Sequence, residues 1–275
     1  MSGKLYIVST PIGNLEDITL RALVVLRNTD YILAESSVRT SKLLNKYDIK
    51  NKIITFNKDN EKKKSELIIA DLIKGRKISL VTDAGTPLVS DPGYELIKKI
   101  TSKFSVIPIP GPSSLTCALS VSMIPINNFI FLGFLSKKNS ERVDKIKTAS
   151  SINTPIVIYE NKHRIKSLVK NIIDVMGKDT SIMILRELTK LHESVKIYTA
   201  QDLLTELKQK PLSGEITLIV DKSCKTADPM EKQRKRIEIL LKKHSVSEVV
   251  NIIRLFTEYK KKELYQFVLK VRQEV

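Results

Sequence analysis

The chain has 275 residues, 42% hydrophobic and 28% charged, a composition expected of a soluble globular protein with one large or two modest domains. It has no run of 18 apolar residues and no basic-then-apolar N-terminal stretch, so neither a transmembrane span nor a signal peptide is expected. The net charge of +17 suits a polyanionic partner, although lysines on solvated helix faces would give the same count. Only two cysteines occur, Cys117 and Cys224, without disulfide-framework or metal-ligand spacing, so a reduced, cytoplasmic setting and no metal are expected.

In chain order, short β-rich runs alternate with amphipathic segments. Strands are expected over Lys4 to Thr10, Tyr31 to Glu35, Lys52 to Phe56, Lys77 to Asp83 and Ser105 to Pro110. Helices are expected over Leu20 to Arg27, Val38 to Tyr47, Glu61 to Lys74 and Tyr94 to Lys103, with another after Pro112 capped by Ser113 or Ser114. Such alternation indicates βαβ units and a mostly parallel sheet.

The pattern restarts after Met123–Asn128. Strands are expected at Phe129 to Phe134, Thr154 to Glu160, Ser181 to Leu188, Ser194 to Thr199 and Glu215 to Asp221, with fewer helices and some antiparallel pairing. The Leu185–Leu188 and Val195–Tyr198 runs suggest a hairpin. The division is therefore an α/β domain over 1–122, a second over 123–223 and a helical tail over 231–275, with Lys222 to Met230 as linker. In the tail, Ser245 to Glu248 has capping-box spacing and opens a helix from Val246 to Leu255. A second helix runs from Lys261 to Val271. The pair reads either as a helix-turn-helix or as a small cap on the protein's own core.

Three loops at strand ends carry the chemistry. The first, Ser9-Thr10-Pro11-Ile12-Gly13-Asn14, sits where a dinucleotide fold would place a glycine-rich phosphate turn, yet it holds one glycine and a proline. It offers an apolar wall with Gly13 as its flexible point. The second, Thr82-Asp83-Ala84-Gly85-Thr86-Pro87-Leu88-Val89-Ser90-Asp91-Pro92-Gly93, packs two acids, two glycines and two prolines behind a buried-type strand. The third, Pro110-Gly111-Pro112-Ser113-Ser114, opens a helix whose free N–H groups could receive a carboxylate or carbonyl oxygen. Ligands bind at the carboxyl ends of strands in open α/β sheets, so one shared pocket is expected. Further candidates are His163, Arg186 and Glu187. No Walker loop or H-E-x-x-H motif is present in the sequence.

Together "LYIVSTPIGNLEDITLRAL", "SLVTDAGTPLVSDPGYEL", "VIPIPGPSS", "IVIYENKHRI", "LRELTKLHE" and "GEITLIV" resemble the tetrapyrrole-methylase-like S-adenosylmethionine enzymes. More narrowly they resemble the bacterial branch that methylates the ribose 2′-hydroxyl of a 16S rRNA cytidine in the small ribosomal subunit. The resemblance implies two α/β domains with the methyl donor in the cleft between them, a homodimer, and a tail that contacts RNA. It places Pro11, Ile12, Asp83, Ala84, Gly85, Thr86, Leu88, Val89, Ser113, Ser114, Tyr159, Arg186, Glu215 and Ile216 at the donor.

The chain departs from the branch pattern twice. Ala34-Glu35-Ser36-Ser37-Val38-Arg39-Thr40 stands where A-E-D-T-R-H-T is usual, and Asn57-Lys58-Asp59-Asn60-Glu61 where H-D-H-N-E is usual. Both segments would face the acceptor. For the general base, Asp83, Glu160, His163 and Glu187 are the candidates, with Arg164, Arg186 or Lys190 available to stabilise a developing alkoxide. Two other readings are a degenerate, non-catalytic RNA-binding member and a methyltransferase of small macrocycles.

Overall fold

The structure is a computed structural model that describes residues 3–100, 103–210, 212–221, 233–257 and 259–274. The chain falls into two compact units, Met1–Lys222 and Ser223–Val275. The expected linker from Lys222 to Met230, and Cys224 within it, lie outside the described residues.

The first half of the larger unit alternates strand and helix: β1 (Lys4–Val8), α1 (Leu20–Asn28), β2 (Tyr31–Ala34), α2 (Ser37–Lys46), β3 (Ile53–Thr55), α3 (Glu61–Ile73), β4 (Lys77–Val81), α4 (Tyr94–Ile100), β5 (Ser105–Ile109) and α5 (Ser114–Ser120). The five strands form one sheet in the order β3-β2-β4-β1-β5, and every pairing is parallel. Both faces of such a sheet are covered, which explains why β2 is buried along its whole length. One face packs Val8, Leu26, Ile32 and Val81; the other packs Leu5, Leu33, Phe56 and Leu80. The helix starts follow capping chemistry: Thr19 accepts from the Ala22 amide and Ser36 from the Arg39 amide.

The second half runs β6 (Ile130–Phe134), α6 (Asn139–Ser150), β7 (Ile156–Asn161), α7 (Ile165–Met176), β8 (Ser181–Arg186), β9 (Ser194–Thr199), α8 (Ala200–Gln209) and β10 (Glu215–Asp221). Its sheet has the order β6-β7-β10-β8-β9. Only β6 and β7 pair in parallel; the rest are antiparallel, and β8 and β9 form the expected hairpin with Leu185 opposite Val195. The strand ends at Arg186 rather than Leu188, because Glu187 and Thr189 turn into the left-handed region (φ 52° and 65°). Among the described residues three helices accompany this sheet, against five in the first half, so the second half carries fewer helices, as expected.

The smaller unit holds α9 (Arg234–Leu241), α10 (Val246–Arg254) and α11 (Lys261–Glu274), so a third helix precedes the expected two. Ile237, Val249, Val250, Leu264, Val268 and Val271 form its own buried core. Arg234 of α9 pairs with Glu274 of α11. The capping box is present: the Ser245 hydroxyl accepts from the Glu248 amide, and the Glu248 carboxylate accepts from the Ser245 amide. No helix among the described residues is long and apolar enough to cross a membrane.

Candidate active site

The strand order places β1 between β4 and β5, with Val8 beside Ile109 and Ile7 beside Leu80. The three strand-end loops therefore leave the sheet side by side, and they are fastened to one another. Thr10 and Gly85 exchange backbone hydrogen bonds of 2.9 and 3.0 Å. The Ser9 and Thr86 hydroxyls lie 2.9 Å apart, and Thr86 donates onward to the Pro112 carbonyl at 3.2 Å. Gly85 supplies a φ of +81°, which a side chain adopts only under strain.

The second half closes over these loops. The Ser114 hydroxyl donates to the Tyr159 hydroxyl at 2.8 Å, and the Leu115 amide also bonds that oxygen. One amide at the start of α5 is thus engaged from within the protein, and Ser114 itself lines the cleft. Burial raises the Tyr159 hydroxyl pKa, and the Phe131 and Phe134 rings pack at 4.9 and 5.5 Å from its ring. Gly13 is not a flexible point. A β-carbon there would stand 2.5 Å from Lys190 Cγ and 2.9 Å from the Leu188 carbonyl, so glycine permits close approach of the two halves.

Between the halves lies a cleft of about 470 Å³, within the range of ~300–1,000 Å³ for small-molecule sites. Of the residues expected there, Ile12, Asp83, Ala84, Gly85, Thr86, Val89, Ser114, Tyr159, Glu160, Glu215 and Ile216 line it. Pro11 is a buried residue of the first loop, Leu88 packs against the core, and Ser113 stands at the N-cap position of α5 without a side-chain cap bond. Arg186 does not reach the cleft. Successive strand residues face opposite ways, so Leu185 lines the cleft while Arg186 turns to a separate hollow, bonded to Ser194, Ser213 and the His192 carbonyl.

The base candidates separate similarly. His163 is exposed on the loop after β7 and does not line the cleft. Glu187 is likewise outside it; the Glu215 amide and Lys190 hold its carboxyl below the usual range. The Glu160 side chain is buried, and burial raises its pKa against the pull of the Asn161 amide and of Arg164, 3.4 Å away. Arg164 in turn donates to the Leu135 and Ser136 carbonyls, so this pair braces the start of α7 against the loop after β6. Lys190 bridges Glu187 and Glu215 at 3.1 Å each, and is not among the cleft-lining residues.

Several cleft residues were not singled out by sequence reasoning. Glu35 ends the β2 run, and β2 neighbours β4, so a fourth strand end joins the three. Arg39 and Asp91 also line the cleft. Arg39 Nη1 meets Asp83 Oδ2 at 3.3 Å, while Asp83 Oδ1 is buried with no hydrogen-bond partner. Asp91 sits in a turn where Leu88 and Ser90 both have φ of 71°, at a cost of about 1–3 kcal/mol each. Burial and the nearby Glu35 push its carboxyl up to about 7, against the opposing pull of Lys58 and the Thr82 hydroxyl. Glu35, Asp83, Asp91, Glu160 and Glu215 make the cleft acidic, with Arg39 as the cation among the described lining residues.

Two parallel-to-mixed sheets clasping an acidic cleft define a class. Residues 4–204 match the family Tetrapyrrole (Corrin/Porphyrin) Methylases, and the chain belongs to it; its methyl donor is S-adenosylmethionine. Among solved structures, a diphthine synthase aligns with TM-score 0.60 at 18% identity, covering 80% of this chain and 90% of that one. Uroporphyrin-III-C-methyltransferase from Thermus thermophilus aligns with TM-score 0.57 at 20% identity, covering 80% and 94%; both share the fold.

Closer relatives cover most of the length. Ribosomal RNA small subunit methyltransferase I of Buchnera aphidicola (subsp. Schizaphis graminum) is 41% identical over 99% of this chain and 98% of its own. The Thermotoga maritima protein of the same name is 44% identical over 79% of this chain and 98% of its own. Within the wider family, the chain belongs to the ribosomal RNA small subunit methyltransferase I family.

The cleft fits the donor. S-adenosylmethionine carries a sulfonium and an ammonium, cations that an acid-lined cavity favours. Asp83 Oδ1 is a buried acceptor suited to a donor group on a ligand.

Proposed function

We propose that the chain methylates the ribose 2′-hydroxyl of a cytidine in 16S rRNA, acting on the small ribosomal subunit in the cytoplasm as a homodimer. The observation that carries this reading is the acidic cleft, shaped by loops whose sequences follow the branch pattern. The bound donor supplies a methyl group activated by a positively charged sulfur. Ile12, Gly85, Val89 and Ile216 would wall it, while Asp83, Ser114 and Tyr159 offer polar contacts.

The charge of the cleft bears on the acceptor. Three of the five lining carboxylates are paired with Arg39, Arg164 and Lys190, and the negative charge left by Glu35 and Asp91 disfavours a phosphate inside, so the rRNA backbone stays at the rim and a single sugar reaches in. Arg39, whose side chain is 65% exposed, is positioned to meet a phosphate there. The net charge of +17 draws the polyanion to the rest of the surface. The division into domains over 1–122 and 123–223, with a tail over 231–275, belongs to this reading: the first two hold the donor, and the lysine-rich tail adds RNA contacts.

Alignment of the acceptor oxygen with the methyl group contributes most of the acceleration, roughly 7–11 kcal/mol. The test is transfer of labelled methyl to 30S subunits from a strain lacking this modification. Label in 16S rRNA supports the reading; none in 30S subunits, with donor bound normally, contradicts it and favours a non-catalytic member.

A further inference from the structure

We propose that Asp91 is the catalytic base, the carboxylate that takes the proton from the acceptor hydroxyl as its oxygen is methylated. The assignment rests on the ribose-methylation reading above.

Five carboxylates line the cleft, and three are engaged. Asp83 pairs with Arg39 at 3.3 Å, Glu160 with Arg164 at 3.4 Å, and Glu215 with Lys190 at 3.1 Å. Glu35 and Asp91 remain: both line the cleft, Glu35 directly after β2 and Asp91 in the loop between β4 and α4, near enough for the Glu35 charge to act on Asp91. Asp91 is the better placed of the two to accept a proton. Left-handed backbone at Leu88, Ser90 and Gly93 brackets it and fixes its position, and the Thr82 hydroxyl lies beside it.

The charged and titratable groups around Asp91 are Glu35 at the end of β2, Lys58 after β3, Asp83 in its own loop and Tyr159 of β7. Burial and Glu35 together bring its carboxyl to about 7. At neutral pH roughly half the molecules then carry the carboxylate, in a form basic enough to receive a proton during the reaction.

The step balances. As the acceptor oxygen bonds the methyl carbon, the carbon–sulfur bond opens and its electron pair stays on sulfur, leaving a neutral thioether. The hydroxyl proton passes to Asp91, which releases it to water after the product departs.

The experiment is single-turnover methylation of undermethylated 30S subunits by the full chain from about pH 5.5 to 8.5, with the modified position mapped and donor affinity measured by calorimetry. The wild-type rate is expected to rise tenfold per pH unit below about 7 and to level off above it. Asp91→Asn is expected to lose about 10²–10⁴-fold in rate and the rising limb, while binding the donor within about threefold of wild type. Asp91→Glu should recover part of the rate.

A flat wild-type profile, or an Asp91→Asn rate within about twofold of wild type, would overturn the assignment. If Asp91→Asn no longer binds donor, the wild-type profile decides alone. Label on a ribose oxygen at undiminished rate in Asp91→Asn overturns the assignment and leaves the reaction standing. Label on a base overturns both.

Discussion

The backbone amide of Asn14 donates to the Thr189 hydroxyl at 3.1 Å, joining the first loop of one sheet to a turn of the other. Gly13 makes this contact possible, because the Leu188 carbonyl would lie 2.9 Å from any β-carbon added there. Gly13→Ala is therefore expected to destabilise the protein by about 1–3 kcal/mol through overpacking against backbone that cannot move aside. A thermal scan checks it: an unchanged Tm would show that the two halves are not held at this point.

Asp83 is expected to matter for the donor more than for stability. Its Oδ1 is buried without a hydrogen-bond partner, and a charge-assisted hydrogen bond formed there is worth about 1.5–3 kcal/mol. Calorimetry on Asp83→Asn should show donor affinity reduced roughly 10–100-fold. Wild-type affinity would place the donor elsewhere in the cleft.

Arg39 should behave in the opposite way. Its pair with Asp83 is 65% exposed on the arginine side, so Arg39→Ala should cost less than about 1 kcal/mol of stability. Removing the cation leaves the cleft more acidic, so donor affinity should hold or rise while the KM for 30S subunits increases. A weakened donor with unchanged KM would contradict the role given to this residue.

Asp91 carries a stability cost with a definite pH dependence. Its carboxyl ionises near 3.8 when unfolded and near 7 when folded. Between those values the folded protein binds a proton that the unfolded chain has lost, so the penalty grows with pH and is complete above about 7. Asp91→Asn should raise the unfolding free energy at pH 8 by about 1–2 kcal/mol, discounted because the side chain is only half-buried, and have little effect near pH 4. Denaturant melts at the two pH values decide it; equal stabilisation at both would show that ionisation is not the cause.

The tail admits a separate test. Ser245→Ala removes one side of the capping box and should cost the smaller unit about 1 kcal/mol. Faster amide hydrogen exchange confined to α10 and its neighbours, with unchanged donor affinity, is the expected signature.

The ten strands among the described residues are readable in the sequence because each is a short β-rich run closed by a turn or a change of periodicity. The convergence of three loops is readable too, since each follows such a strand. Helix α6 is not: its buried face is Arg142, Ile146 and Ala149, and an arginine held inside by Asn171 and Asn139 looks like a solvent position. Helix α7 does show its apolar spacing, at Ile165, Leu168, Val169 and Ile172. Within the cleft, the choice between Leu185 and Arg186 depends on which sheet face turns inward, and alternation alone leaves that open. Asp91 stands in full view in its loop, yet its proximity to Glu35 depends on the path that the loop between β4 and α4 takes in the folded chain.

The central claim is that a ribose oxygen receives the methyl group. Nucleoside analysis of 16S rRNA, after the purified protein and labelled donor act on undermethylated 30S subunits, tests it most directly. The account predicts one labelled product, a cytidine methylated at its 2′-oxygen. Label on a base, or transfer to a porphyrin in preference to the subunit, would contradict it.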